Sequence, residues 1–409
     1  MKYLNKYNTA RSLIYLIAIA SILSYISIIT DDDLLKYISA ITQISALILS
    51  LRIILLLRKI INWETIIPIL LVLAVYPLYR IILDVITASN SKALTDGLII
   101  YWGYYQLVLI GFALALLTKE GIGHSLLKSY AYFALPVGIV LLITTFSSPV
   151  EYTVGLGRIG ITNCFVPLAL LAFHPGKRTN LILGLSGVFG IFLMSVGILS
   201  RSFFIIGLLL LFFSLVSAFR IRKVLVAIVV VSLFVAYSFD MFSFLSQASL
   251  IRETSTLEKF EIRSLEESII KSIQTGEFEY LYYWQGNSRA EILLDAFGDF
   301  GTKDWIFGSG IFATYSSFVE RSTIEIGWAQ EVFRFGFFYL IPVFLFIIVG
   351  YIRLKRNKSY NTDPVFRILG YLLLIRLLDG FLYGVPEASV YNLFFFWGLT
   401  MQGITKTKK

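Results

Sequence analysis

The sequence predicts an all-α, polytopic integral membrane protein: about twelve transmembrane helices joined by short connections, with one long loop in the C-terminal half. Three observations predict this. Residues of the AVILMFWYC set make up 57% of the 409, before 29 glycines are counted, whereas a soluble domain holds roughly 45–50% apolar residues with glycine included. Charged residues are only 15%, and the mean hydropathy is +0.79. The apolar residues also gather into blocks near the roughly 20 residues that cross a bilayer. A soluble globular enzyme is excluded. The net charge of +9 would suggest a nucleic-acid partner in a soluble chain, but these Lys and Arg lie between apolar blocks, where they orient spans. No nucleic-acid partner is expected. Cys164, the only cysteine, lies inside an apolar run and leaves no intrachain disulfide or thiolate metal site.

Taken in order, the first block, 12–29, follows Lys2, Lys6 and Arg11 and lacks the small-residue cleavage pattern of a secretory signal, so it reads as a retained span. Further blocks fall near 34–57, 65–83, 98–117, 130–147, 161–173, 181–199, 203–219, 224–239, 337–352, 365–383 and 390–404. Alternate loops carry the basic residues: Arg58 and Lys59, Lys119 and Lys128, Lys177 and Arg178, Arg220 to Lys223, Arg353 to Lys358, then Lys406 to Lys409. The intervening short loops hold only Lys92, Arg158 and Arg201, and one is the acidic run Asp31 to Asp33. Short cytoplasmic loops retain Lys and Arg, which places both termini in the cytoplasm. The chain then divides into spans one to nine (1–239), a large exported loop (240–336), and spans ten to twelve with a tail (337–409).

That loop is far longer than ordinary connections, and loops of such size usually carry function. Ser255 with Glu258 makes a capping-box pattern ahead of Leu257, Phe260, Leu265, Ile269 and Ile273 at helical spacing; Ser288 with Glu291 and Ser322 with Glu325 repeat the cap. Two or three loop helices are expected, at least one along the membrane surface or over a cavity.

Charge retained in spans and exported turns is the informative chemistry. Arg158 lies in the run Gly155 to Gly160 just before Asn163, and Arg201 sits between Ser200 and Ser202 in a short turn. An arginine fork suits phosphate oxygens and stays protonated, while snorkelling to headgroups is the plainer role. Arg289 follows the cap Ser288, where a helix start favours anions. Gly298 to Gly310, with Asp299, Asp304 and Trp305, reads as a tight connection rather than a helix. Tyr280, Tyr282, Tyr283 and Trp284 suit stacking on sugar rings or an interfacial belt. Glu325 and Glu331, near Trp328, Gln330 and Arg334, are carboxylates that would serve as a base if their site raised the pKa; as surface carboxylates they would do nothing. Arg80 with Asp84 and Arg376 with Asp379 have ion-pair spacing. His124 and His174 fall in cytoplasmic loops and do not make a metal centre.

In this order the motifs resemble the bacterial O-antigen polymerases and ligases. The resemblance rests on Arg158 followed by Asn163, on Ser200, Arg201 and Ser202 between two apolar helices, on Arg289 through Ala296 followed by Trp305, Gly308, Gly310 and Phe312, and on Ala329 through Phe338 leading into a span. It implies a GT-C-like fold in a bacterial inner membrane and a periplasmic site joining oligosaccharide repeats carried on undecaprenyl diphosphate. No metal or other cofactor is implied; membrane lipids and a chain-length regulator protein are the further partners. Arg158, Arg201, Arg289 and Arg334 would contact pyrophosphate, Tyr283 and Trp305 sugar, with Arg289 and Glu325 catalytic. Ligases of the family place a histidine where this chain has Glu325 to Trp328, which favours polymerase over ligase and makes Glu325 the substitute base. A lipid-linked oligosaccharide flippase is the rival from transport, and a non-catalytic assembly partner the rival from structure.

Overall fold

The computed structural model describes residues 6–30, 32–87, 102–118, 122–147, 150–173, 178–198, 201–219, 296–310, 327–357, 364–380 and 388–402, with a few single residues and pairs between 274 and 321. The block at 224–239, the caps at Ser255, Ser288 and Ser322, and most of the 240–336 loop lie outside them.

The described residues are helical except for a two-residue antiparallel pair, β1 (Tyr315–Ser316) and β2 (Glu320–Arg321). The helices are α1 (Lys6–Thr30), α2 (Asp33–Leu57), α3 (Trp63–Leu70, a π turn Leu71–Val75, then Tyr76–Thr87), α4 (Gly103–Thr118) and α5 (Gly123–Ser147). There follow α6 (Val150–Ile159, a π turn Gly160–Phe165, Val166–Ala169 and the 3-10 turn Leu170–Phe173), α7 (Arg178–Gly197) and α8 (Arg201–Phe219). The chain continues with α9 (Thr302–Phe307), α10 (Gly327–Phe335), α11 (Phe337–Arg356), α12 (Pro364–Asp379) and α13 (Val390–Met401). Among the described residues, six helices are long and apolar enough to cross a membrane: α1, α2, α3, α5, the latter part of α6, and α11. Shorter apolar helices lie within α4, α7, α8 and α13. The protein is a helical membrane protein.

Both π turns have the same local cause. Tyr76 and Val166 each donate a backbone N–H five residues back, to Leu71 and Ile161, and each directly precedes a proline, Pro77 or Pro167. A proline ring clashes with the carbonyl four residues earlier and cannot donate to it, so the preceding turn widens. For Pro167 that carbonyl belongs to Asn163. The Tyr130 hydroxyl of α5 donates to it instead, at 2.6 Å.

Packing follows burial. All of α13 and nearly all of α4 are buried, and Trp397 Nε1 of one donates to Thr118 Oγ1 of the other at 3.1 Å. This pair forms the centre. Peripheral helices instead keep an outward apolar stripe, such as Leu34, Ile41, Ile48 and Leu55 on α2 and Phe338, Ile341 and Leu345 on α11. Since lipid is as apolar as these side chains, burial alone does not join such helices; polar contacts and close packing do. Asn163 is the clearest example. Its Nδ2 donates to Ser21 Oγ of α1 at 2.9 Å, and its Oδ1 accepts from Val390 N, an otherwise free donor at the start of α13, at 3.0 Å.

Candidate functional site

The sequence GWAQEVFRF of α10 is nine residues long, and eight of them are buried despite three being Gln330, Glu331 and Arg334. Helical spacing turns Trp328, Glu331 and Phe335 to one side and Ala329 and Phe333 to the other. The second side packs on Phe297 and Phe300. The first side meets α4, where the Tyr105 hydroxyl donates to Glu331 Oε2 at 2.9 Å and the Tyr105 ring meets Phe335 edge-on at 5.3 Å.

Arg376, in the last turn of α12, completes the cluster. Its guanidinium lies 5.8 Å from the Trp328 ring and 5.9 Å from the rings of Tyr391 and Phe395 on α13. Glu331, Arg334 and Arg376 are 7%, 2% and 6% exposed. Charges so buried persist only when they neutralise one another. Burial pushes the Glu331 carboxyl, which lies ahead of the α11 span, up to about 7; the Tyr105 hydrogen bond and the two guanidinium groups oppose that rise. Both arginines thus favour the ionised carboxylate while burial favours the protonated form, and burial is the larger effect.

Backbone geometry fixes α10 at both ends. At its start, Trp328 N donates to Gly380 O at 2.9 Å and Trp328 Nε1 to Leu377 O at 3.0 Å, tying it to the carbonyl end of α12. A Cβ on Gly380 would lie 2.2 Å from the indole. At its end, Ser309 N donates to Phe333 O at 2.7 Å and Gly310 N to Arg334 O at 3.2 Å. Gly308 and Gly336 both have positive φ, +74° and +71°, and a Cβ on Gly308 would lie 2.3 Å from the Arg334 carbonyl. Only glycine fits there. Gly310 rests on the expected ion pair of α3, Arg80 to Asp84 at 3.9 Å, and the Tyr76 hydroxyl donates to Phe335 O at 3.2 Å.

The predicted residues distribute unevenly around this cluster. Arg334 is in it. Glu331, weighed beside Glu325, is at its centre, whereas Glu325, Arg289 and Tyr283 lie outside the described residues. Arg158 is half-buried on α6. Its neighbour Gly157 packs on Ile198, three residues before Arg201 opens α8. The turn expected around Arg158 is instead unbroken helix, because the buried Leu156, Ile159 and Ile161 carry the packed face through the glycines. Asn163, expected only as a companion of Arg158, is a buried cross-link among α1, α6 and α13. Trp305 stands apart from Glu331, on the Phe333 side of α10, stacked between Phe297 at 5.0 Å and Phe337 at 5.6 Å. The tight connection expected over 298–310 contains a helix: Asp304 Oδ2 accepts from Gly301 N at 3.1 Å and caps α9, with the glycines kept to its two ends.

Sequence reasoning does not reach Tyr105, and it gives Arg376 only as the partner of Asp379, whose side chain lies outside the described residues. An ionisable residue inside an apolar helix is a functional candidate by default, and that signal was available for Arg376; for Tyr105 there was none. Protein-family models, curated proteins and solved structures include no match to this chain.

Proposed function

We propose that this protein is a membrane glycosyltransferase of the O-antigen polymerase type, joining repeat units carried on undecaprenyl diphosphate at the periplasmic side of a bacterial inner membrane. The observation that carries the reading is the buried Glu331, which accepts from Tyr105 and whose carboxylate is favoured by the charges of Arg334 and Arg376. Chain direction supports the siting. Tyr105 opens α4, Arg376 closes α12, Tyr391 opens α13 and Arg80 and Asp84 close α3. These ends are opposite the ones bearing Arg58 and Lys59, Lys119, and Arg353 to Arg356, which the charge rule assigns to the cytoplasm.

In the proposed reaction, Glu331 takes the proton of an acceptor sugar hydroxyl. That oxygen bonds to the anomeric carbon of the donor glycan, whose bond to phosphate breaks, and undecaprenyl diphosphate leaves with the electron pair. Arg334 and Arg376 stabilise the charge that develops on the diphosphate, with Arg158, Arg201 and Arg289 as the contacts proposed from sequence. Glu331 is taken as the base because it is buried, accepts from the Tyr105 phenol and feels the charges of two guanidinium groups; Glu325, the base proposed from sequence, lies outside the described residues. A base whose pKa lies near ambient pH is matched to such a transfer.

The test is elongation by the purified full-length protein in nanodiscs, supplied with lipid-linked repeats extracted from a strain lacking its gene. A ladder of longer lipid-linked glycans supports the reading. Arg376→Lys and Arg334→Lys, which keep the charge but not the planar fork, are expected to slow the ladder at least about tenfold. Transbilayer movement of the repeats without a new glycosidic bond would replace the reading with transport, and full elongation by both variants would remove the two arginines from it.

A further inference from the structure

The short helix α9 leaves three consecutive large apolar side chains, Trp305, Ile306 and Phe307, 36%, 42% and 42% exposed. Polar residues occupy its first turn, Thr302, Lys303 and Asp304. The patch is continuous with a second surface. Trp305 stacks flat on Phe337, and Phe307 meets Phe338 at 5.9 Å. These two phenylalanines open α11, whose outward stripe runs on through Ile341, Leu345, Ile348 and Ile352. That stripe belongs to a helix long and apolar enough to cross a membrane, so lipid is what faces it.

We infer that α9 is an interfacial anchor that sinks Trp305, Ile306 and Phe307 into the lipid where α11 enters the bilayer. Its occupant is the acyl region just below the headgroups, because the patch extends a lipid-facing stripe without a break. Six residues of helix span only about 9 Å, too little to cross and enough to lie at the boundary, where tryptophan is favoured. Lys303 and Asp304 then remain at headgroup level. The anchor matters because α9 leads directly into Gly308, Ser309 and Gly310, whose amides hold the Phe333 and Arg334 carbonyls. Lipid thereby sets the depth of α10. This inference does not depend on the glycosyltransferase reading.

The test places a nitroxide at Ile306→Cys in full-length Cys164→Ala protein in nanodiscs, with Lys303→Cys and Leu345→Cys as aqueous and lipid references. Collision with oxygen, which concentrates in lipid, is compared with collision with a water-soluble nickel chelate. The expected ratio of oxygen to nickel accessibility at Ile306 is roughly tenfold above that at Lys303 and close to that at Leu345. A ratio equal to that of Lys303 would put α9 in water. Low accessibility to both would mean that another part of the chain covers it, and either result overturns the inference. If the labelled protein fails to fold, Trp305→Phe in lipid brominated near the headgroups is read instead: a loss of quenchable tryptophan emission supports insertion, and unchanged quenching overturns it.

Discussion

Replacing Glu331 by Gln isolates the proton at the centre of the cluster. The amide keeps an oxygen to accept from Tyr105 and nearly the same volume, so the charge is what changes. In the folded protein burial raises the carboxyl from 4.5 to about 7. At about 1.4 kcal/mol per pH unit of displacement, ionising the folded form costs about 3 kcal/mol more than ionising the unfolded chain. The sign follows from which state holds the proton. Between 4.5 and about 7 the folded state keeps it and the unfolded state has released it, so rising pH lowers stability across that window and has no further effect above it. The assay is thermal unfolding in one detergent at closely spaced pH values from 4.5 to 8.5, wild type against Glu331→Gln. The wild type should lose about 3 kcal/mol relative to the variant across the window, and the two curves should run parallel beyond it. Parallel curves throughout would mean that Glu331 stays ionised in the fold. A wild type gaining on the variant as pH rises would show that Arg334 and Arg376 outweigh burial, contrary to the order of causes argued above.

Two further outcomes follow from the packing. Asn163→Ala removes the bond to Ser21 and leaves the buried Val390 amide without its acceptor, a cost of about 2–3 kcal/mol, read as a lower unfolding temperature; Asn163→Asp should restore part of it by supplying the acceptor for Val390. Gly380→Ala drives a methyl into the Trp328 indole and should break its bond to Leu377, costing about 1–3 kcal/mol and shifting Trp328 emission, whereas Leu378→Ala, on the exposed side of the same turn, should leave that emission unchanged.

Much of the helical layout was legible in sequence, because burial in lipid or in a neighbour demands a long apolar run either way. The block at 34–57 is the helix Asp33–Leu57, and that at 337–352 begins where Phe337–Arg356 begins. The π turns escaped, since a count of apolar residues does not register the strain a proline places on the turn before it. The cluster escaped in part for a different reason. Tyr105, Glu331 and Arg376 come from three segments far apart in the chain, and nothing in their local spacing says that they meet. Arg334 and Glu331 were visible as charged residues next to a span, but only the burial of α10 marks Glu331 as more than a surface carboxylate.

The π turn before Pro77 also acts as a phase shifter. One added residue swivels all that comes after it in α3 by about 100°, and this orientation brings Arg80 and Asp84 beneath Gly310. Were Pro77 exchanged for alanine, the helix would be free to rewind into regular register, carrying that ion pair to a different face and taking away the floor on which Gly310 rests.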